Sequence, residues 1–327
     1  MIGTTRRRAL ALGLSIPLIT NVTHAQGIWP SKPVRIIVPF PPGQAADIFA
    51  RLLADRLTEV WKQQVIVYNK GGGGGIPGTE TGKVATPDGY TLMVVTSGTF
   101  GVNPSLYTDL PYKPLVDFKP IARFIAGPLV IVAHPTFPAN TLAELIALAK
   151  KEPGRLSYAS AGPGTAQHLS MELFKLRAGV DIEHIPYKGS GPAMSDLLGG
   201  HVKLMMDSTA SSLTPIRDGR IKAFAVTTAR RAPAPLDTIP SIGETVPGYD
   251  SAGWVGLAGP AKIPDEIVIR VNADVNALLR DPAIARQFEE RASVPTPMTP
   301  ADFATFIDHD MATWAEVVKA TGAKPGN

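Results

Sequence analysis

The chain has 327 residues, 44% hydrophobic and 18% charged, the make-up of a water-soluble globular protein long enough for two domains. Its formal net charge of +4 sits at one end: Arg6, Arg7 and Arg8 are the only charged side chains of residues 1–25 and supply +3 of it, leaving +1. That near-neutral remainder lacks the electrostatic footprint of a nucleic-acid binder, and the absence of cysteine excludes disulfides, thiolate metal sites and cysteine nucleophiles.

In chain order, the three arginines, the apolar run Ala9–Ile19 and the small-residue pattern Thr23-His24-Ala25 predict a secretory signal cleaved near Ala25. The apolar run is about half of what a membrane span needs. Export without disulfides points to a bacterial periplasm.

Val34-Arg35-Ile36-Ile37-Val38 reads as a buried strand. It breaks at Pro39, Pro41, Pro42 and Gly43, and helical spacing of Ile48, Phe49, Leu52, Leu53, Leu57, Val60 and Trp61 begins at Asp47. Val65–Tyr68 is a second strand, followed by five glycines and a short helix. Thr91–Val95 is a strand ending in the polar loop Thr96-Ser97-Gly98-Thr99. Proline and aromatics from Asn103 to Pro120 suggest irregular surface. An apolar run over Phe124–Ala133, broken at Gly127-Pro128, leads into a second domain. There Thr141 and Glu144 form a capping-box pattern, and strand Leu156–Ala159 meets helix Gln167–Arg177 across a Ser160–His168 loop. Further strands are expected over Ile182–Ile185, Val202–Met206 and Ile221–Thr227, with a helix near Pro192–Leu198. Proline at 233, 235, 240 and 247 marks a return linker. Trp254–Ala258 re-enters the first domain, and three proline-led helices near 264–279, 282–290 and 300–320 close the chain.

Alternation of strand and helix predicts an α/β fold. The expected domains are a signal over 1–25, a discontinuous first domain of 26–125 and 249–327, and a second of 126–248. Two crossings make a hinge, with a ligand cleft between the lobes.

Two strand–loop–helix junctions, one per domain, supply the chemistry. Each leaves backbone N–H groups free at a helix start, where the dipole favours an anion. Phe40, Gly43, Gln44 and Ala45 form the first candidate seat. Ser160, Gly164, Thr165 and His168 form the second, where His168 either touches ligand or braces the loop. Asp47 either caps its helix or braces the loop as well. Asp207, ending strand Val202–Met206, could hold an amine or hydroxyl of a ligand, or simply face water or cap the next segment. Gly73, Gly75 and Gly78 match G-x-G-x-x-G, but Pro77 falls inside the match and it follows the second strand, not the first, so no dinucleotide site is expected. No metal site or cofactor is expected either.

Many short motifs recur in one order: Trp29-Pro30 with Lys32-Pro33, Pro39–Asp47 with Ala50-Arg51, Asn69-Lys70, Asp88-Gly89-Tyr90-Thr91-Leu92, Asn103-Pro104, Asp117-Phe118, Tyr158-Ala159-Ser160, Gly164-Thr165, His168-Leu169, Pro186-Tyr187-Lys188-Gly189 and Asp196-Leu197-Leu198-Gly199-Gly200. Together they resemble the Bug (TctC-like) family, the extracytoplasmic solute receptors of tripartite tricarboxylate transporters. The resemblance implies a two-lobed periplasmic binding (Venus flytrap) fold, with two doubly wound domains closing on a small carboxylate. It implies that the Phe40–Ala46 loop receives one carboxylate and the Ser160–His168 loop the other end of the ligand. Ser97 in the Thr96–Thr99 loop and Asp207 would tune the middle. Gln44 stands where the family usually has a second glycine. A monomeric receptor delivering its ligand to membrane permease subunits is the expected function. A sensor feeding a membrane signalling protein is the alternative. An enzyme is disfavoured because no nucleophile–base pair is evident.

Overall fold

The computed structural model describes residues 1–2 and 29–325; the expected signal and its cleavage point near Ala25 lie outside them, apart from Met1 and Ile2. The first strands are β1 (Val34–Val38), β2 (Val65–Asn69), β3 (Thr91–Thr96), β4 (Phe118–Gly127) and β5 (Leu129–Ala133). They are followed by β6 (Ser157–Ser160), β7 (Glu183–Pro186), β8 (Leu204–Ser208), β9 (Lys222–Val226), β10 (Gly253–Pro260) and β11 (Val294–Pro295). They form a six-stranded sheet ordered β11-β4-β10-β3-β1-β2 and a five-stranded sheet ordered β7-β6-β8-β5-β9. In the first, β1 runs parallel to β2 and β3, while β10 is antiparallel to β3 and β4. In the second, β6 is parallel to β7 and β8, and β5 is antiparallel to β8 and β9. The result is a two-lobed α/β fold with mixed sheets. The antiparallel strands β5 and β10 are those that begin just after the chain crosses between lobes.

Local sequence explains the elements around the cleft. In β1 every residue but Arg35 is buried, as a strand flanked by parallel neighbours requires. The following helix runs Ala45–Trp61 and buries Phe49, Leu53, Leu57 and Trp61. It starts two residues before Asp47, because extended Gln44 takes the N-cap position and the Asp47 carboxylate reaches back to the Gly43 N–H at 3.0 Å. Phe49 stacks on Phe288 at 5.1 Å in the first core, with Leu257 and Val271. The second core is built on Ile131, Tyr158, Phe174 and Phe224.

The crossings lie side by side. Pro128 links β4 to β5, the Thr227 hydroxyl accepts from Leu129 N–H at 2.9 Å, and Gly253 pairs with Gly127. The C-terminal helix Pro300–Thr321 also bridges the lobes, with Trp314 packed among Val102, Leu106 and Leu169. No described helix is long and apolar enough to cross a membrane.

Two expectations need correction. The Asn103–Pro120 stretch is only in part irregular surface: Thr108, Asp109, Pro111, Lys113 and Val116 are exposed. Asn103, Tyr112 and Phe118 are buried, and Phe100, Tyr112 and Phe118 pack ring against ring at 5.2–6.5 Å. Burial is possible because the polar tips are paired: Tyr112 OH donates to Thr99 O at 2.6 Å and accepts from Asn103 Nδ2 at 3.1 Å. Second, a helix over Thr209–Arg217 was not anticipated. It is short, holds Pro215, and starts with small hydroxylic residues that carry no apolar period. Tyr112→Phe leaves Asn103 and Thr99 O short of a partner, so it is expected to lower unfolding free energy by about 1–3 kcal/mol in urea titration. Unchanged stability would return this stretch to the surface.

Candidate functional site

A cavity of about 520 Å³, mouth included, lies between the two sheets. Three helices begin at its wall. Gln44, Ala45 and Ala46 start the Ala45–Trp61 helix. Thr165, Ala166 and Gln167 start the Ala166–Ala178 helix. Ser208, Thr209 and Ala210 start the Thr209–Arg217 helix. A tight helical turn after β3 adds Thr96, Ser97 and Gly98, and Phe40, Ile125, Leu129, Trp254 and Val255 supply an apolar belt. Among the lining residues none is Asp, Glu, Lys, Arg or His. The first N–H groups of a helix have no acceptor within it and carry the positive end of its dipole. At Ala45, Ala46, Ala166 and Gln167 those groups belong to residues of the cavity wall. The cavity is therefore rich in donors, and the Ala45 and Ala166 helix starts turn their positive ends to it without a cationic side chain among the lining residues.

Residues behind the wall hold each loop in place. Gly43 has φ +88°, the left-handed region that favours glycine. Asp47 is buried and clamps the loop, because Oδ2 takes the Gly43 N–H while Oδ1 takes Arg51 Nε at 2.9 Å and Asn69 Nδ2 at 2.8 Å. Asn69 also donates to Phe40 O at 3.0 Å. In the second loop, Ser160 Oγ meets His184 Nε2 at 2.7 Å and accepts the Gly162 N–H at 3.0 Å. The Thr165 hydroxyl donates to Gly162 O at 2.7 Å and caps its helix by accepting the His168 N–H at 3.3 Å. His168 is buried, stacked on His184 with ring centroids 4.4 Å apart, and its Nδ1 receives the Gly164 N–H at 3.4 Å. Burial, with smaller contributions from His184 and Lys175, drives its pKa down to about 3. It is a neutral acceptor that shapes the loop. Asp207 is also fully buried. Its carboxylate accepts from Ser190 at 2.6 Å, Ser211 at 2.6 Å and Ser212 at 3.1 Å, while burial raises its pKa.

Of the residues singled out from the sequence, Phe40, Gln44, Ala45, Ser97 and Thr165 line one cavity. Gly43, Ser160, Gly164, His168 and Asp207 stand behind it, joining Asp47 as braces. Sequence reasoning missed Gln167, Ile125, Trp254, Ser293 and the Ser208–Ala210 helix start. Only the last had a signal, a serine N-cap directly after a strand. The glycine run is a seam between lobes: a Cβ on Gly74, at φ +64°, would lie 2.6 Å from Pro163 O of the other lobe. Among the described residues no group of His, Asp or Glu stands close enough to hold a metal ion.

A family model described as the tripartite tricarboxylate transporter family receptor matches residues 49–323. The chain belongs to this TctC receptor family. BugT of Bordetella pertussis is 36% identical over 298 residues, 90% of this chain and 91% of BugT. Among solved structures, Rpa4515 of R. palustris with adipate superposes with TM-score 0.88 at 34% identity, over 90% of this chain and 98% of that one. MatC from Rhodopseudomonas palustris with bound malate gives TM-score 0.84 at 30% identity, over 89% of this chain and 100% of that one. In this TctC receptor the apolar belt is tied to the C-terminal helix, since Trp254 Nε1 donates to Asp310 Oδ2 at 2.8 Å.

Burial pushes the Asp310 carboxyl up to about 6, against the pull of Trp254, Trp314 and Arg123. Its folded pKa thus exceeds the unfolded value of about 3.9, so the folded state holds the proton more tightly and stability falls as pH rises from about 4 to about 6. The loss at that one site is up to about 3 kcal/mol. Asp310→Asn, which cannot ionise, is expected to flatten this part of a stability-against-pH curve measured by chemical denaturation. An unchanged slope would contradict it.

Proposed function

We propose that the protein is an exported, monomeric receptor that captures a small organic carboxylate between its lobes and delivers it to the membrane subunits of a tripartite transporter. The observation that carries this reading is the meeting of three helix starts and one helical turn in a cavity with no charged side chain. Oriented N–H groups stabilise an anion there, and the apolar belt of Phe40, Ile125, Leu129 and Trp254 accommodates a short hydrocarbon body. Helix starts on both lobes suit a ligand with a carboxylate at each end. Structures similar to this chain were solved with adipate and with malate, both of that description. Paired crossings at Pro128 and at Thr227–Gly253 provide the hinge for closure, and the arginine-led first 25 residues support export.

The test is a thermal-shift and calorimetric screen of ligand-free protein, residues 26–327, against mono-, di- and tricarboxylates, amino acids and aromatic acids. A carboxylate at about 100 times its Kd adds about 2.7 kcal/mol, which is expected to raise Tm by several degrees. A flat screen with an empty cleft by native mass spectrometry would overturn the reading. Closure has its own test. Gly74 lies outside the cavity wall but in the seam, so Gly74→Ala is expected to weaken carboxylate binding by about tenfold or more, at about 1 kcal/mol cost to the unliganded fold. Wild-type affinity in this variant would mean that binding does not need the lobes to meet here.

A further inference from the structure

A second cavity, of about 680 Å³ with its mouth, opens beside the two crossings. It shares Gly253 and Trp254 with the cavity between the sheets and is otherwise lined by different residues. Unlike that cavity it carries charge: Arg123 from β4, Asp250 from the return crossing and Asp310 from the C-terminal helix. Trp254, Phe306 and Trp314 give it aromatic walls, and Leu173 of the second lobe closes one side.

The wall has hydrogen-bonding capacity left over on both sides of the ledger of donors and acceptors. Arg123 gives its Nε–H to Thr296 Oγ1 at 3.0 Å and lies over the Phe306 ring at 4.2 Å; its two terminal nitrogens have no acceptor among the described residues. Trp314 is 4% exposed, and its Nε1–H has no partner among them either. Asp310 stands one helical turn before Trp314, but its Oδ2 takes the Trp254 Nε1–H at 2.8 Å. Asp250 takes the Ala229 N–H with Oδ1 at 2.8 Å. One oxygen of each carboxylate is thus left without a hydrogen bond among the described residues. The hydroxyls nearby are already used: Thr313 donates to His309 O at 3.0 Å, and Ser251 Oγ meets Ser170 Oγ at 2.7 Å.

Three classes of small molecule can be weighed against this wall. A monocarboxylate satisfies Arg123 and Trp314 but faces two acids, and like charges repel. An amine satisfies the acids but leaves the guanidinium and the buried indole N–H unpaired, which costs free energy. A molecule with both ends leaves neither set over. We propose that this cavity is a second binding site, for a zwitterionic α-amino acid with an apolar side chain. Its carboxylate goes to Arg123 and Trp314, its ammonium to Asp250 and Asp310, and its side chain to the Trp254 and Phe306 rings. The proposal goes beyond the carboxylate-receptor reading and does not depend on what the cleft between the lobes holds.

The experiment titrates isotope-labelled, ligand-free protein with phenylalanine, phenylpropanoate and phenethylamine, which share a ring and differ in their charged ends. At about pH 7 phenylalanine is expected to bind about tenfold or more tightly than either single-charge probe. It is also expected to move the Trp314 indole N–H resonance downfield, a resonance identified by its loss in Trp314→Phe. Arg123→Gln is expected to weaken phenylalanine about tenfold or more while leaving phenethylamine within about threefold. Asp310→Asn is expected to do the reverse for the other end, weakening phenylalanine and phenethylamine but not phenylpropanoate. A purely structural effect of either variant would weaken all three probes together. A single-charge probe that binds as tightly as phenylalanine overturns the proposal. So does phenylalanine that moves the Ala45 and Ala166 amides and leaves the Trp314 indole in place, because it then sits in the cleft. A Trp314 indole that none of the three probes moves overturns it as well, and none of these outcomes touches the receptor reading.

Discussion

Helix starts leave N–H groups unpaired, and a folded protein must direct those groups somewhere. Here the Ala45 and Ala166 helix starts and a helical turn after β3 bring them to one cavity, while at the third helix start the Thr209 N–H is taken by Pro128 O. The arrangement makes charge recognition a property of the backbone. Each helix start is positive because peptide dipoles are aligned, not because a lysine or arginine has been placed there. Such a site avoids the desolvation penalty of a buried cation when it is empty. It also leaves the wall free for apolar groups, so Ile125, Leu129 and Trp254 lie beside donor groups. Both sheets contribute because both repeat the same strand–loop–helix unit at the cleft edge.

A backbone site needs its loops held rigidly, and ionisable side chains perform that task from behind. Asp47 joins Gly43, Arg51 and Asn69. Neutral His168 stacks on His184 and receives the Gly164 N–H. Asp207 gathers three serine protons. All three are buried; the two carboxylates are held by several donors each, as buried charges require, while His168 is bonded through Nδ1 and its Nε2 has no hydrogen-bond partner among the described residues. The division of labour accounts for a wall without charged side chains surrounded by a second layer full of titratable groups.

The parts legible in the sequence were those with local causes. The apolar β-branched run before Pro39 and the Phe49–Leu57 spacing after it gave strand, loop and helix directly. The Thr141 hydroxyl does accept the Glu144 N–H, as its spacing implied. What the sequence hid depends on distant contacts. Tyr112 and Asn103 satisfy each other across nine residues, which turns proline-rich, loop-like sequence into core. The Thr209–Arg217 helix is hidden because its start packs on the first lobe, a distant contact, and Pro215 lies inside its last turn. Ser160 Oγ meets His184, a strand away, while Thr165 lines the cavity. Trp254 and Ser293 reach the wall only through the sheet order β11-β4-β10, which no window of sequence contains.

The most direct measurement follows backbone amides by NMR in isotope-labelled protein while a bound carboxylate is added. Recognition by helix starts predicts that the N–H resonances of Ala45, Ala46, Ser97, Gly98, Ala166 and Gln167 shift downfield together, as amides do when they donate to a carboxylate. If those six amides stay in place while the ligand binds, the anion is held elsewhere and the account of the cavity is wrong.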